Sequence, residues 1–167
     1  MQLIDINKER YNKHIKITFI AICIFMLAVS LTISTLLIHF WGGPTGENFI
    51  WNVAGVVIAA ALLAKILITY QHHPFLAEVV YMRQVKAQLN RIYRKQRKIK
   101  VAAEAGDARA MAILDFSYRA SRHIFELDNN TITLDDLTKN QNELSALQQQ
   151  FNIAELATYQ AEWVDEY

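Results

Sequence analysis

The sequence predicts an all-α membrane protein in which a two-helix transmembrane hairpin carries a cytoplasmic antiparallel bundle of three helices. Three observations support this prediction: two long apolar runs lie close together, basic segments flank the pair, and apolar residues recur with helical periodicity through the rest of the chain. Hydrophobic residues make up 53% of the 167 residues, and they are concentrated in those two runs rather than spread evenly. Composition and pattern together therefore favour a membrane protein.

The first predicted span contains the run ITFIAICIFMLAVSLTISTLLI, which has no charged side chain. A helix of this length rises about 33 Å, which is enough to cross the hydrocarbon of a bilayer. The second run, FIWNVAGVVIAAALLAKILITY, has similar length and a single charge, Lys65. Because the first run is longer than the apolar core of a signal peptide, it is expected to remain in the mature protein. We place the spans at about 17–40 and 49–70, which makes 17–70 the hairpin.

The segment between the spans, residues 42–48, predicts a tight outer loop. It reads GGPTGEN and contains three of the five glycines and one of the two prolines, which is typical of a turn. Four lysines and arginines lie in the N-terminal flank, residues 1–16, and eight more lie between residues 71 and 100. By the positive-inside rule, both termini are predicted to be cytoplasmic.

The polar and small residues of the spans allow two interpretations. Lys65 lies near the predicted inner boundary, and neither span contains a carboxylate to pair with it, so its ammonium is expected to reach the headgroups. His39 lies near the outer end. The alternative is a small oligomeric transport or channel component that uses Lys65 or His39. Four small residues of the second span are candidates for close packing, within the hairpin or against a partner's span: Gly55, Ala59, Ala60 and Ala64.

Residues 74–167 are predicted to form the cytoplasmic helical domain. Pro74 fits the first turn of its first helix, whose apolar face is formed by Val85, Leu89, Ile92 and Ile99. Gly106 can end that helix, and Asp107 can cap the second, which ends at the turn-forming LDNN. The third helix begins at Thr133 in a sequence similar to a capping box. Its apolar positions have near-heptad spacing: Leu137, Leu144, Leu147, Phe151 and Ala154. The last residues either extend this helix or fray, and Trp163 is a candidate docking contact.

A basic stripe on the first cytoplasmic helix is the main candidate for a binding surface. Its residues recur at helical spacing: Arg91, Arg94, Lys95 and Lys98. Between residues 101 and 167, twelve acidic residues stand against four lysines and arginines, so the stripe could pack on acidic helices of its own chain. It could also lie on anionic membrane lipid or contact a partner protein, because surface ion pairs within one chain contribute only about 0–1 kcal/mol each. Nucleic acid is not expected, since no recognition module accompanies the stripe.

The sequence contains no motif that predicts catalysis. It has no glycine-rich phosphate loop, no nucleophile elbow, no His-Glu-x-x-His and no pair of cysteines. The adjacent histidines His72 and His73 point about 100° apart on a helix and have no further ligand at suitable spacing. His123 and Glu126 are typical of a solvated helix face. We therefore expect a protein that is not an enzyme and that has no metal or cofactor.

Three segments in the same order, IDINKERYNKH, HPFLAEVVYMRQVKAQLNRIYRKQRKIK and LDNNTITLDDL, resemble a family of two-span gammaproteobacterial inner-membrane proteins catalogued only as a domain of unknown function. The resemblance covers nearly the whole chain. It implies a location in the bacterial inner membrane and a multi-pass topology, and it brings no catalytic or binding residues. The expected function is that of a non-enzymatic anchor or accessory protein. Its cytoplasmic domain would associate with another membrane or cytoplasmic protein, or with its own copies.

Overall fold

The computed structural model describes residues 3–44, 46–130 and 134–167, and all regular structure in these residues is helical. The elements follow one another in this order: α1 (Lys8–Trp41), α2 (Phe49–Tyr70), α3 (Ala77–Glu104), α4 (Ala108–Leu127), α5 (Leu134–Gln150) and a 3-10 helix (Ala161–Glu166). The predicted all-α class is confirmed. The chain divides into two compact units, residues 7–80 and residues 1–6 with 81–167, which we call the hairpin unit and the helical domain.

The hairpin unit consists mainly of α1 and α2, which pack against each other. Asn7 caps α1 by accepting a hydrogen bond from the backbone N–H of Arg10 at 2.9 Å. Both helices are long and apolar enough to cross a membrane by length and composition. Between them, the Ser34 hydroxyl donates a hydrogen bond to the side-chain oxygen of Asn52. α1 extends beyond the predicted span at its N-terminal end and includes basic residues of the flank.

The helical domain has its most buried element at α4, which packs against α5 and against the 3-10 helix. Twelve of its twenty residues are buried, including Met111, Ile113 and Phe116, which are almost inaccessible to solvent. The predicted apolar face of α3 is confirmed, since Val85, Leu89, Ile92 and Ile99 are all buried. The arrangement of α3, α4 and α5 as an antiparallel bundle stays a prediction.

The predicted junction between α3 and α4 is confirmed in detail. Gly106 adopts a φ of +94°, a left-handed conformation that glycine tolerates best, and its N–H donates to the carbonyl of Ala103 at 3.0 Å. A Cβ at Gly106 would lie 2.8 Å from the ring of Phe151, so the position also requires a small residue. Asp107 caps α4, and its Oδ1 accepts from the backbone N–H of Arg109 at 2.8 Å and of Ala110 at 3.2 Å. Thr133, the predicted start of the third domain helix, lies outside the described residues.

The end of α5 differs from the prediction. The near-heptad pattern predicted a helix through Phe151 and Ala154, but α5 ends at Gln150. The next turn places Asn152 at a φ of +52°, and the N–H of Ile153 donates to the carbonyl of Gln148 at 2.9 Å. This pattern is a Schellman motif, in which a left-handed residue ends the helix and its last carbonyls are satisfied. Apolar spacing alone did not reveal this stop signal, because asparagine replaces the usual glycine.

Candidate functional site

The C-terminal residues 159–167, which we call the C-terminal clasp, dock on α3 and α4 instead of extending α5. The ring of Tyr159 stacks on Phe116 with ring centroids 4.1 Å apart, and its hydroxyl donates to Gln88 Oε1 at 3.1 Å. Val164, in the 3-10 helix, is fully buried. Trp163, the predicted docking residue, is only half-buried, and the Arg109 guanidinium lies 5.8 Å from its ring centroid. Tyr159 and Val164 are therefore the apolar anchors of the clasp.

The clasp binds half of the predicted basic stripe. Arg91 Nη2 donates to Asp165 Oδ2 at 2.6 Å. Lys95 Nζ donates to the backbone carbonyl of Val164 at 2.9 Å and lies 3.9 Å from Asp165 Oδ1. Arg91 and Lys95 thus bind acceptors of their own chain. For these two residues, this agrees with the interpretation that the stripe packs on acidic parts of the same chain.

Two carboxylates of this region are held in their ionised form. The hydrogen bond from Arg91 lowers the pKa of Asp165 below its ordinary value, and the charges of Arg91 and Lys95 act in the same direction. Burial raises the pKa of Asp107, but hydrogen bonds outweigh this effect and the net pKa is lowered. Those bonds come from the Tyr167 hydroxyl at 2.7 Å and from the two backbone N–H groups of the α4 cap. Acid is therefore expected to weaken both ends of the clasp.

We expect the polar contacts of the C-terminal clasp to weaken as the pH falls below about 4, while Tyr159 and Val164 stay anchored. The folded-state pKa values of Asp107 and Asp165 are depressed from 3.8, so their stabilisation is present above that value and is lost as the pH falls through the folded values. Fluorescence of a variant with Trp163 as sole tryptophan should change between pH 5 and about pH 2. The same variant with Asp165→Asn is the control and should show a smaller change over this range. A signal that is flat down to pH 2 would contradict the assignment.

Four of the remaining six cations of α3 face away from its buried side. Arg94 lies about 180° around the helix from the buried Val85, at 100° per residue. The outer cationic face, as we call it, consists of four exposed residues: Arg83, Arg94, Arg97 and Lys98. In the part of the chain that the structure describes, none of the four forms an ion pair. Lys86 differs from them, because its Nζ lies 3.5 Å from Asp128 Oδ2.

The structure therefore divides the predicted stripe. Arg94 and Lys98 belong to the outer cationic face, whereas Arg91 and Lys95 hold the clasp. The prediction missed Arg83 and Arg97 as members of the exposed face. The sequence predicted the buried side of α3 correctly. Arg83 and Arg97 lie far around the helix from that side, and this angular position could have identified them as exposed.

Comparison with known families places the chain in one of them. The model of the family described as Protein of unknown function (DUF3087) matches residues 1–164. The chain belongs to this family. The predicted membership in a family defined only as a domain of unknown function is confirmed, whereas its two-span and gammaproteobacterial character stays a prediction. Comparison with curated proteins and with solved structures gives no match. The family description assigns no role to any residue, so a function must be argued from the geometry of the chain.

The small residues predicted for span packing fall into two groups. Gly55 and Ala59 are buried, and a Cβ at Gly55 would lie 2.9 Å from the Ser30 carbonyl oxygen and from Ser34 Cβ. Ala60 and Ala64 are exposed on the other side of α2. The first pair thus packs within the hairpin, and the second pair is free to meet lipid or another chain.

The polar residues considered for transport are exposed. His39 lies at the end of α1 with its ring 5.2 Å from that of Phe40, and Lys65 lies on the outer surface of α2. In the residues that the structure describes, no group of three or more histidines, cysteines or carboxylates is arranged to hold a metal ion.

Proposed function

We propose that this protein is a non-enzymatic bacterial inner-membrane protein whose helical domain binds an acidic protein surface through the outer cationic face of α3. In this proposal α1 and α2 form a transmembrane hairpin, and the helical domain is cytoplasmic. The observation that carries the binding role is the group of exposed cations at Arg83, Arg94, Arg97 and Lys98, which have no ion-pair partner among the described residues.

Membrane insertion is supported by the exposure of the hairpin's apolar side chains. In the most apolar 18-residue stretches of α1 and α2, only 6% and 11% of the residues are buried. Phe19, Leu27 and Ile68 are each about two-thirds exposed. A core helix of a water-soluble protein would bury such side chains, and exposed apolar surface on this scale needs lipid or a partner. A bilayer is the medium that fits helices of these lengths.

The proposed orientation is supported by charge and by the fold of the N-terminal residues. Two crossings return the chain to the side on which it started, and the flanks on that side are rich in lysine and arginine. Residues 1–6 belong to the same compact unit as 81–167, and the backbone N–H of Ile4 donates to the Tyr81 hydroxyl at 2.7 Å. These observations favour an arrangement in which both termini lie on the cytoplasmic side of the membrane.

A protein partner is favoured by the chemistry of the outer cationic face. Three of its four cations are arginines, and the neighbouring Tyr93 and Val101 are 46% and 60% exposed. Arginine and tyrosine are enriched where protein interfaces bury energetically important contacts. A partner with carboxylates on its surface, including a second copy of this chain, would complement these charges.

We expect the triple substitution Arg94→Gln, Arg97→Gln and Lys98→Gln to weaken partner binding about ten- to a hundredfold, because three charge contacts are lost together. Full-length protein at native expression level would be extracted in mild detergent, and the stoichiometry of co-purifying proteins would be measured at several salt concentrations. A matched control removes three cations that lie off this face: Lys100, Arg119 and Lys139.

Two results would overturn this proposal. One is unchanged recovery of a stoichiometric partner by the triple variant. The other is recovery of no protein partner together with salt-dependent retention of anionic lipid, which would assign the face to the membrane. The transport alternative requires Lys65 or His39 to line a pathway between several copies. Neither residue contacts a carboxylate in the described part of the hairpin, and that alternative has no further support.

A further inference from the structure

An apolar groove lies between α1 and α2, within the hairpin unit. Its cavity of about 370 Å³ falls within the size range of small-molecule sites. The α1 wall runs from Ile17 to Phe25, a rise of about 12 Å, and the α2 wall runs from Leu63 to Tyr70. Among the described residues, those that line the groove all belong to this unit, and none is a lysine, an arginine or a carboxylate. The groove therefore suits hydrocarbon rather than a charged group.

The groove lies between two places where α1 contacts the rest of the hairpin unit. Gly55 and Ala59 are buried, and a Cβ at Gly55 would lie 2.9 Å from backbone atoms of α1. The groove begins at Leu63, about one turn beyond this close contact. Phe75 lines the other end, and its ring stacks on that of His14 in α1 with centroids 4.1 Å apart. The gap is therefore bounded by packed contacts at both ends.

In the proposed transmembrane placement of the hairpin, hydrocarbon surrounds this groove. Tyr70 is the last residue of α2, so the groove extends from the membrane boundary about 12 Å toward the centre of the bilayer. Water does not fill a space of this kind, because apolar walls offer it no hydrogen bonds. Leaving the space empty would forfeit the dispersion contacts of the side chains that line it. A hydrocarbon ligand is therefore favoured.

The dimensions of the groove favour a single hydrocarbon chain over a helix. Divided by the length of about 12 Å, the cavity volume corresponds to a cross-section of about 30 Å². A helix with its side chains is about 10–12 Å wide and therefore occupies about 80 Å² or more. A partner's transmembrane helix is too wide to enter, whereas an unbranched chain can lie along the groove.

We propose that the groove holds one acyl chain of an inner-leaflet phospholipid, and that this resident lipid stays bound while the surrounding lipids exchange. The ester end of the chain lies where Tyr70 and His73 line the groove, since residues with polar tips suit the membrane boundary. The chain then passes Ala21 and leaves the groove near Phe25 and Leu63. Because the groove offers no charged side chain, it selects for the acyl chain and not for the headgroup. This inference rests on the proposed membrane insertion but not on the binding role of α3.

Photo-crosslinking before and after detergent extraction tests this inference. The full-length protein would be reconstituted in phosphatidylglycerol vesicles that also contain a phosphatidylcholine with a diazirine in the upper half of one acyl chain. Irradiation of the vesicles should label the groove at Phe25 and Leu63 and also the exposed Leu27. Extraction in mild detergent and gel filtration remove the surrounding lipid but not a resident chain. Irradiation after these steps should label the groove about tenfold more than Leu27, which corresponds to about 1.4 kcal/mol of preferential retention.

Two phenylalanine substitutions on the same side of α1 separate the groove from the open surface. Ala21→Phe places a ring at the groove wall and should lower the labelling retained after extraction about tenfold, to the level of Leu27. Ala28→Phe makes the same change on the exposed surface of α1, about two turns further along and beyond the groove, and should leave the retained labelling unchanged. Both variants should still be labelled at Leu27 in vesicles.

Three results would overturn the inference. The first is groove labelling that disappears on extraction together with the labelling of Leu27. The second is an Ala21→Phe variant that keeps its retained labelling. The third is a groove that is not labelled in vesicles although Leu27 is, which would show that protein side chains, such as those of a second copy, fill it. Absence of labelling at Leu27 in vesicles would instead contradict membrane insertion itself, so the two failures are distinguished.

Discussion

Replacing Tyr159 by alanine is expected to lower the unfolding free energy of the helical domain by about 3–5 kcal/mol, the usual cost of deleting a large buried aromatic side chain. Tyr159 is 2% exposed, and its ring stacks on Phe116 almost in parallel. The substitution removes this stack together with the hydrogen bond to Gln88 and leaves a cavity beside α4. Small domains are stable by only about 5–15 kcal/mol, so the loss is a large share of the total.

Chemical denaturation of the full-length protein in detergent micelles, followed by circular dichroism, would measure this loss. Tyr159→Phe is the matched control: it keeps the stack and removes only the hydroxyl, so a loss of about 1 kcal/mol is expected. Burial raises the pKa of Tyr159 to about 12, so its stabilisation is present below pH 10 and is lost between about pH 10 and 12. Equal stability of the alanine variant and the unmodified protein would show that the C-terminal clasp is not part of the folded core.

Release of the clasp would also change the surface of α3. Arg91 and Lys95 would lose Asp165 and the Val164 carbonyl, and two more cations would then join the outer cationic face. The clasp therefore limits the positive surface of α3, in addition to completing the core of the domain.

Helical periodicity predicted much of the fold because it reports burial directly. The predicted apolar positions of α3 are separated by four, three and seven residues, and each of them is buried. The junction at Gly106 and Asp107 was predictable for a similar reason: a left-handed residue and a capping carboxylate are local requirements that few residue types meet. Such signals depend on neighbours in sequence and need no knowledge of tertiary contacts.

The clasp could not be predicted in this way. Arg91 and Asp165 are 74 positions apart, and charge composition does not specify which of many acidic residues pairs with which cation. Tyr159 and Val164 lie in a polar segment without helical periodicity, so no pattern marks them as core residues. For α2, the small residues were recognised, but composition alone did not show which of them face α1.

Gly55→Leu is expected to separate α1 from α2 in the part of the hairpin nearer the connecting loop. A Cβ at position 55 would lie 2.9 Å from the Ser30 carbonyl oxygen, the Ser34 backbone nitrogen and Ser34 Cβ. Two of these atoms belong to the backbone and cannot move aside independently, so the helices themselves must shift. The cost should reach at least the upper end of the about 1–3 kcal/mol typical of overpacking, since the shift also breaks the bond between Ser34 and Asn52.

Unfolding in mixed micelles with increasing dodecyl sulfate would measure this effect. The stacked rings of Trp41 and Trp51, with centroids 6.2 Å apart, report on the hairpin by fluorescence once Trp163 is replaced by phenylalanine. Ala64→Leu is the matched control on the exposed side of α2 and should change stability by less than about 0.5 kcal/mol. If Ala64→Leu is the more damaging change, the exposed side of α2 is itself a packed interface, and the small residues at 60 and 64 serve association between chains. If Gly55→Leu alone is damaging, close packing of α2 is confined to the side that faces α1, and the exposed side of α2 is not a packed interface.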